Sequence, residues 1–309
     1  MSYIIAGCSI IDHIVSADGS RSAAQLGGSL YALTGIKPYC DDVLLVTTAG
    51  PDFADSYAAY YRTNDLSFAG VHHVLPYTQR NILTYQPDGR WHETSAHGAD
   101  FVSRYSQLTP IRAAQIVPHC SPATRGIYLE ASVTESVWSD LHLLRSAAPQ
   151  AVIMWEVPSA DAEDSDRHHL VRDMVKNVDI FSINLPEAQA VYGTQSEAET
   201  VACLQTLRTP CFFRVGTRGA YMIHSGRAWY APAVDLDTSV DPTGCGNCST
   251  GAALYGYAEG LHPLRTVITA NLAAGLNAQQ HGPYPHYTPE LRARLLAQID
   301  ATYAQLREE

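Results

Sequence analysis

The segment Asp241-Pro242-Thr243-Gly244-Cys245-Gly246-Asn247 is followed at once by the small, helix-compatible run Cys248-Ser249-Thr250-Gly251-Ala252-Ala253-Leu254. Two glycines in a tight turn that opens a helix point several backbone N–H groups at one spot. The positive end of the helix dipole stands behind them. Such a turn holds an anion, and a nucleotide phosphate suits it best. Glycine-rich helix starts also occur without any ligand. Here Asp241 and Thr243, the polar stretch Asp235–Val240 before the turn and the small-residue helix after it favour the anion pocket. A phosphoryl-transfer site is expected to carry a carboxylate near the end of the turn, and this chain has Asn247.

Other residues bear on chemistry more weakly. Asp12 follows the apolar run Ile4–Ile11, at the carboxyl end of a strand, where α/β sheets bind ligands. A carboxylate there can accept two sugar hydroxyls; the alternative is a residue of a surface turn. Gly27-Gly28 lets the backbone come close to a ligand, or is a simple loop. Asn184 and Glu187 flank Leu185-Pro186 in a pattern that also caps a helix. Cys245-Gly-Asn-Cys248 is a C-x-x-C, but no second C-x-x-C supplies the ligands that structural zinc needs. His72-His73 and His168-His169 read as solvated faces.

The elements that must position these residues are legible in outline. Apolar runs predict strands at Ile4–Ile11, Val43–Thr48, Gly126–Leu129, Ala151–Trp155, Asp179–Ile183, Cys211–Val215 and Ala220–Ile223. Between them lie helical patterns at Ser56–Tyr61, Ser136–Ala147, His168–Lys176, Glu187–Tyr192 and Glu197–Leu207, and Glu290–Leu306 closes the chain as an amphipathic helix after Pro289. Strands alternating with helices predict a mainly parallel sheet covered on both faces. Val71–Glu93 breaks the rhythm with a hairpin signal, Pro87-Asp88-Gly89, between Ile82–Tyr85 and Arg90–His92. With the segment from Asp12 onward it predicts a small β-rich lid. The division expected is a core of about residues 1–11, 30–70 and 98–309, and a lid of about 12–29 and 71–97. An exposed edge strand in the lid could pair with a second copy. Tyr77, Tyr85 and Trp91 there could stack on a base or sugar, or simply pack.

Composition narrows the partners. With 20 Lys+Arg against 31 Asp+Glu, the formal charge is −11, which argues against nucleic acid or an anionic membrane. No apolar run approaches the ~20 residues of a membrane span. Met1–Cys8 lacks the basic leader of a lipoprotein signal and reads as a first buried strand. Seven cysteines at irregular spacing fit a reducing cytoplasm better than a disulfide framework.

The turn at Asp241–Asn247 resembles the second signature of the ribokinase-like (PfkB) family of carbohydrate and nucleoside kinases, whose usual form is Asp-Thr-x-Gly-Ala-Gly-Asp. Other elements follow in the family's order: Ala6-Gly7 with Asp12, Leu26-Gly27-Gly28, Gly50-Pro51-Asp52-Phe53, Asn184-Leu185-Pro186-Glu187 and Gly216-Thr217-Arg218-Gly219. The resemblance implies a three-layer α/β/α fold with a lid, and transfer of the ATP γ-phosphate to a hydroxyl of a sugar, nucleoside or similar small alcohol. It implies substrate contacts at Asp12, Gly27 and Gly28, and an anion hole from the amides of Gly244, Cys245, Gly246 and Asn247. It further implies nucleotide contacts at Asn184, Glu187, Arg214, Gly216, Gly219 and Thr243, with Mg²⁺ near Glu187, held through water. A monovalent cation such as K⁺ near Asp241, and an adenine pocket along Asn271–Gly282, rest on the same resemblance.

Three positions depart from the family pattern. Asn247 replaces the aspartate taken as general base. An amide does not accept a proton at neutral pH, though its carbonyl can orient a hydroxyl. Ala32 stands where many members carry a substrate-contacting Asn, and Arg214 where Thr is common. A kinase is therefore the leading expectation, and a nucleotide- or sugar-binding protein with its chemistry lost is the alternative.

Overall fold

A computed structural model of the chain describes residues 1–86, 91–234 and 239–308. The strands are β1 (Tyr3–Ala6), β2 (Ser9–Val15), β3 (Gln25–Gly28), β4 (Val43–Ala49), β5 (Val71–His73), β6 (Gln79–Tyr85), β7 (Trp91–Ser95), β8 (Gly126–Glu130), β9 (Val152–Glu156), β10 (Ile180–Asn184), β11 (Cys211–Arg214), β12 (Gly219–His224) and β13 (Arg227–Pro232). Nine of them form one sheet in the order β13-β12-β11-β10-β9-β8-β1-β4-β5. It runs parallel from β11 to β5 and ends in an antiparallel hairpin, β12–β13. Both faces are covered by helices, which is why its central strands are continuously apolar. In β1 the pleat sends Tyr3 and Ile5 into one core and Ile4 and Ala6 into the other.

A second sheet, β3-β2-β6-β7, is the lid. The apolar run Ile4–Ile11 is not one strand. It breaks at Gly7, the chain leaves the large sheet, and β2 begins the lid at Ser9. A Cβ at Gly7 would stand 2.0 Å from the Ser29 Oγ and 3.1 Å from the Glu130 Cβ, so side chains from two distant segments close over this point. Val71–His73 also differs from expectation: it pairs with β4 at the edge of the large sheet. The Pro87-Asp88-Gly89 turn lies outside the described residues, but β6 and β7 pair antiparallel as a hairpin requires. The edge strand β13 had no clear signal in the sequence.

Behind the large sheet, the helices Leu30–Ile36, Cys245–Ala258 and Pro263–Ala278 pack together. Cβ atoms at Gly35 and Gly251 would meet the Cys248 and Ala32 carbonyl oxygens at 1.9 and 2.0 Å. That closeness fixes where the Cys245 helix begins relative to the strand ends.

Candidate active site

The carboxyl ends of adjacent parallel strands carry a row of polar residues: Glu130 on β8, Glu156 on β9, Asn184 on β10 and Arg214 on β11. Glu130 is in register with Glu156, and Asn184 with Arg214. The N-terminus of the Cys245–Ala258 helix sits over this row. Gly244 caps it at φ +77°, and a Cβ there would fall about 2.2 Å from the Tyr31 ring, so only glycine fits. Cys245 N–H donates to the Pro242 carbonyl at 3.1 Å. Its amide is thus taken, contrary to the expectation that it serves the anion hole. Among the described residues, no acceptor faces the N–H groups of Gly244, Gly246 and Asn247, and these form the open end of the helix.

Arg214 is the cation of the site. Its guanidinium donates to Glu156 Oε1 and lies 3.9 Å from Glu187 Oε2. Its Nη1 stands 2.4 Å from where a Cβ on Gly246 would be, against the first turn of the helix. Burial pushes the Glu156 carboxyl up to about 7, and the Arg214 charge opposes it. We describe the pair as ionised, because Glu156 accepts at both oxygens, from Arg214 and from Thr250 Oγ1 at 2.8 Å.

On one side of the helix N-terminus lies a cleft of about 350 Å³, bounded by Asn184, Arg214, Gly216, Gly219, Cys245 and Gly246. Asn271, Ala274, Gly275 and Ala278 form its far wall. The segment expected to border an adenine pocket does border this cleft. Thr243 and Asp241 serve the turn itself: Asp241 Oδ1 accepts from Thr243 N–H at 2.9 Å, and Oδ2 lies 3.1 Å from His281 Nδ1. Each oxygen has one partner and keeps lone pairs free. Cys245 and Cys248 are free thiols that donate to the carbonyls of Ala274 and Ala273, and burial raises both.

Asn184 and Glu187 form a reciprocal helix cap: Asn184 Oδ1 accepts from Glu187 N–H at 3.0 Å, and Glu187 Oε2 from Asn184 N–H at 2.9 Å. The other carboxylate oxygen accepts from Ser159 Oγ at 2.7 Å. Among the described residues no cluster of three or more His, Cys, Asp or Glu side chains could cage a metal. Glu187, buried beside Arg214, suits an ion held through water and on phosphates, and not one it ligates directly.

The residues expected to contact substrate lie in the lid sheet. Asp12 sits in the middle of β2, not at the end of a core strand. Its Oδ2 lies 2.2 Å from where a Cβ on Gly27 would be; Gly27-Gly28 is the end of strand β3 and not a loop, and the missing side chain lets the carboxylate lie on the backbone. Burial, reinforced by the like charge of Glu93, lifts the Asp12 carboxyl to about 7. Gln25 is opposite Asp12 in the ladder, so the two side chains share a face. Gln25 is buried, and neither end of its amide has a partner among the described residues. Glu130 accepts a hydrogen bond from Ser29 Oγ. The Asn247 side chain lies near the same carboxylate and helps hold it down. Ala32 is fully buried, and its backbone packs against Gly251 of the neighbouring helix. Tyr77, in the lid-side loop, is exposed and stacks on His97 at 5.3 Å.

Glu130, Glu156 and Gln25 were not foreseen. Glu130 and Glu156 had a signal: each is the one charged residue closing an apolar strand, after Ile127-Tyr128-Leu129 and Ile153-Met154-Trp155.

Solved structures with this architecture align over nearly the whole chain. A Burkholderia thailandensis nucleoside kinase in complex with inosine matches at 18% identity and a TM-score of 0.73, over 98% of this chain and 99% of that one. A Sinorhizobium meliloti adenosine kinase gives 18% and 0.70, over 96% and 98%. A Cryptococcus neoformans ribokinase in complex with ADP gives 16% and 0.70, over 94% and 99%. At such identities the likeness is one of fold. No curated protein sequence matches the chain. The model of the pfkB family of carbohydrate kinases matches residues 42–290, most of the sequence. The ribokinase-like core, the lid and this match together assign the chain to the pfkB carbohydrate kinase family.

Proposed function

We propose that the protein is an ATP-dependent kinase that moves the γ-phosphate to a hydroxyl of a sugar, nucleoside or similar small alcohol. One observation carries this reading. The open helix N-terminus at Gly244–Asn247 borders the Arg214 cleft, and its Asn247 side chain lies near the Glu130 carboxylate. In this reading the nucleotide occupies the cleft, along Gly216, Gly219 and the Asn271 helix. The amides of Gly244, Gly246 and Asn247, with the Arg214 guanidinium, stabilise charge as it spreads over the transferring group. Asp12 and Gln25 orient the acceptor, and Gly27-Gly28 lets it come close. A magnesium ion, held through water near Asn184 and Glu187, would neutralise phosphate charge when bound.

Asn247 favours a second reading, a binding protein with impaired turnover. ATP consumption decides between them, measured on the wild type and Asn247→Asp with inosine, adenosine, ribose and other sugars. Turnover by the wild type establishes the kinase. Tight ATP and acceptor binding without turnover by either protein establishes the binder.

The assembly and setting belong to the same proposal. No described helix is long and apolar enough to cross a membrane. The thiols are free, as a reducing cytoplasm would leave them. β7, at the edge of the lid sheet, is where a second copy would pair, and light scattering of the purified chain tests that.

A further inference from the structure

We propose that Glu130 takes the proton from the acceptor hydroxyl, the task that a carboxylate at position 247 would otherwise perform. The inference rests on the kinase reading above. Asn247 stands in the first turn of the Cys245 helix and cannot accept a proton. The carboxylate on which the Asn247 amide acts is on the end of β8. Glu130 reaches the amide because Gly7 leaves room beneath, where the chain departs for the lid. Ser29 Oγ donates to Glu130 Oε2, and the Asn247 amide lies near the same carboxylate. Surrounded by protein on most sides, the side chain still keeps part of its surface open, so a bound alcohol can reach it.

The electrostatics suit a base. Burial raises the Glu130 carboxyl above the ordinary range; the Ser29 donor, the Asn247 amide and the Arg214 charge pull it part of the way back. The other titratable groups that bear on it are Cys8, Tyr128 and Glu135. Cys8, between β1 and β2, feels the charge of both Glu130 and Asp12. A base whose pKa lies nearer the working pH transfers protons more effectively.

The step balances as follows. The acceptor oxygen forms a bond to the γ-phosphorus, and the bond from that phosphorus to the β–γ bridging oxygen breaks. The electron pair leaves on the terminal phosphate of the nucleoside diphosphate. The hydroxyl proton passes to the Glu130 oxygen that Ser29 does not occupy, and from there to water after product release.

Four proteins test this with ATP and inosine, adenosine or ribose: wild type, Glu130→Gln, Asn247→Asp and the double variant. Glu130→Gln is expected to lower kcat by roughly 10²–10⁴ with little change in the KM for ATP. Adding Asn247→Asp should recover at least a tenth of the lost rate, because a carboxylate returns to the same point. Wild-type kcat in Glu130→Gln overturns the proposal, as does a loss confined to acceptor KM, or no rescue in the double variant. Should Glu130→Gln fail to fold, Ser29→Ala reads the same role. Loss of its hydrogen bond should move the acid limb of the kcat profile to higher pH, and an unmoved limb overturns the assignment. Turnover by the wild type and the Gln variant alike refutes only Glu130 as the base. A wild type inert toward every acceptor refutes the kinase reading, and this proposal with it.

Discussion

Asp12, an acceptor contact in our proposal, shows how a buried carboxylate can cost stability. Its carboxyl is raised from 3.8 to about 7 by burial and by Glu93, and no described cation pairs with it. At about 1.4 kcal/mol per pKa unit, keeping it ionised costs the folded state up to about 4 kcal/mol. The sign follows from proton counting. Well below the unfolded value of 3.8, both states hold the proton and there is no cost; at pH 4 the cost is still under about 1 kcal/mol. As pH rises toward 7 the unfolded chain releases its proton first, so stability falls; above 7 the full cost remains. Asp12→Asn removes the titration. The variant is expected to melt several degrees above the wild type at pH 8 and at about the same temperature near pH 4. Its acceptor KM should rise, since the amide replaces one acceptor oxygen with a donor. Equal melting temperatures at pH 8 would show that Asp12 is not held charged at a cost.

At the scale of the element, one helix terminus carries two roles that substitutions can separate. Glu187 is the N3 residue of a reciprocal cap, and in our proposal it also orders water around a magnesium ion. Gln serves the same position in a capping box, so Glu187→Gln should keep the melting temperature close to wild type. Glu187→Ala, which loses the cap, should cost about 1 kcal/mol. If the carboxylate supports the ion, both variants need roughly 10–100-fold more Mg²⁺ for half-maximal rate. An unchanged Mg²⁺ requirement in Glu187→Gln leaves the side chain as a cap alone. The elements themselves were largely legible in the sequence, because fully buried parallel strands read as apolar runs. The break at Gly7 was not legible. Ile4–Ile11 is nearly all apolar, and what peels the chain away is Ser29 and Glu130, which meet over Gly7 only in the fold. Glu130 and Glu156 escaped notice for a related reason. An acid closing an apolar run is also what a surface turn looks like, and only the β8–β9 register puts the two side by side. The Gly244 turn was legible because its chemistry is local, but the loss of the Cys245 amide to Pro242 was not.

In our proposal the whole molecule divides its ligands between two bodies of structure. The cleft assigned to the nucleotide is bounded by the large sheet and the helices behind it, whereas Asp12, Gln25 and Gly27 belong to the lid sheet. One strap joins lid to core near this boundary: Asp52, at the start of the Phe53–Thr63 helix, accepts from Thr78 N–H at 2.6 Å and pairs with Arg80 Nη2 at 3.2 Å. Burial alone would raise the Asp52 carboxyl, but these donors more than offset it and hold it low. The strap therefore stays charged through the working pH range and should position β6, and with it the acceptor face. A ligand at a hundred times its Kd adds about 2.7 kcal/mol to stability, roughly 5 °C in a chain of this size. Wild-type protein is expected to gain about that much from saturating ATP with Mg²⁺, and a further increment from inosine or ribose. In Asp52→Ala the ATP shift should persist, because the cleft lies wholly in the core. The acceptor shift should shrink, because a loosened lid must be ordered before Asp12 and Gln25 can bind. Differential scanning fluorimetry with each ligand alone and together makes the measurement. Equal loss of both shifts would mean that lid and core bind as one unit, and loss of neither would mean that Asp52 does not hold the lid.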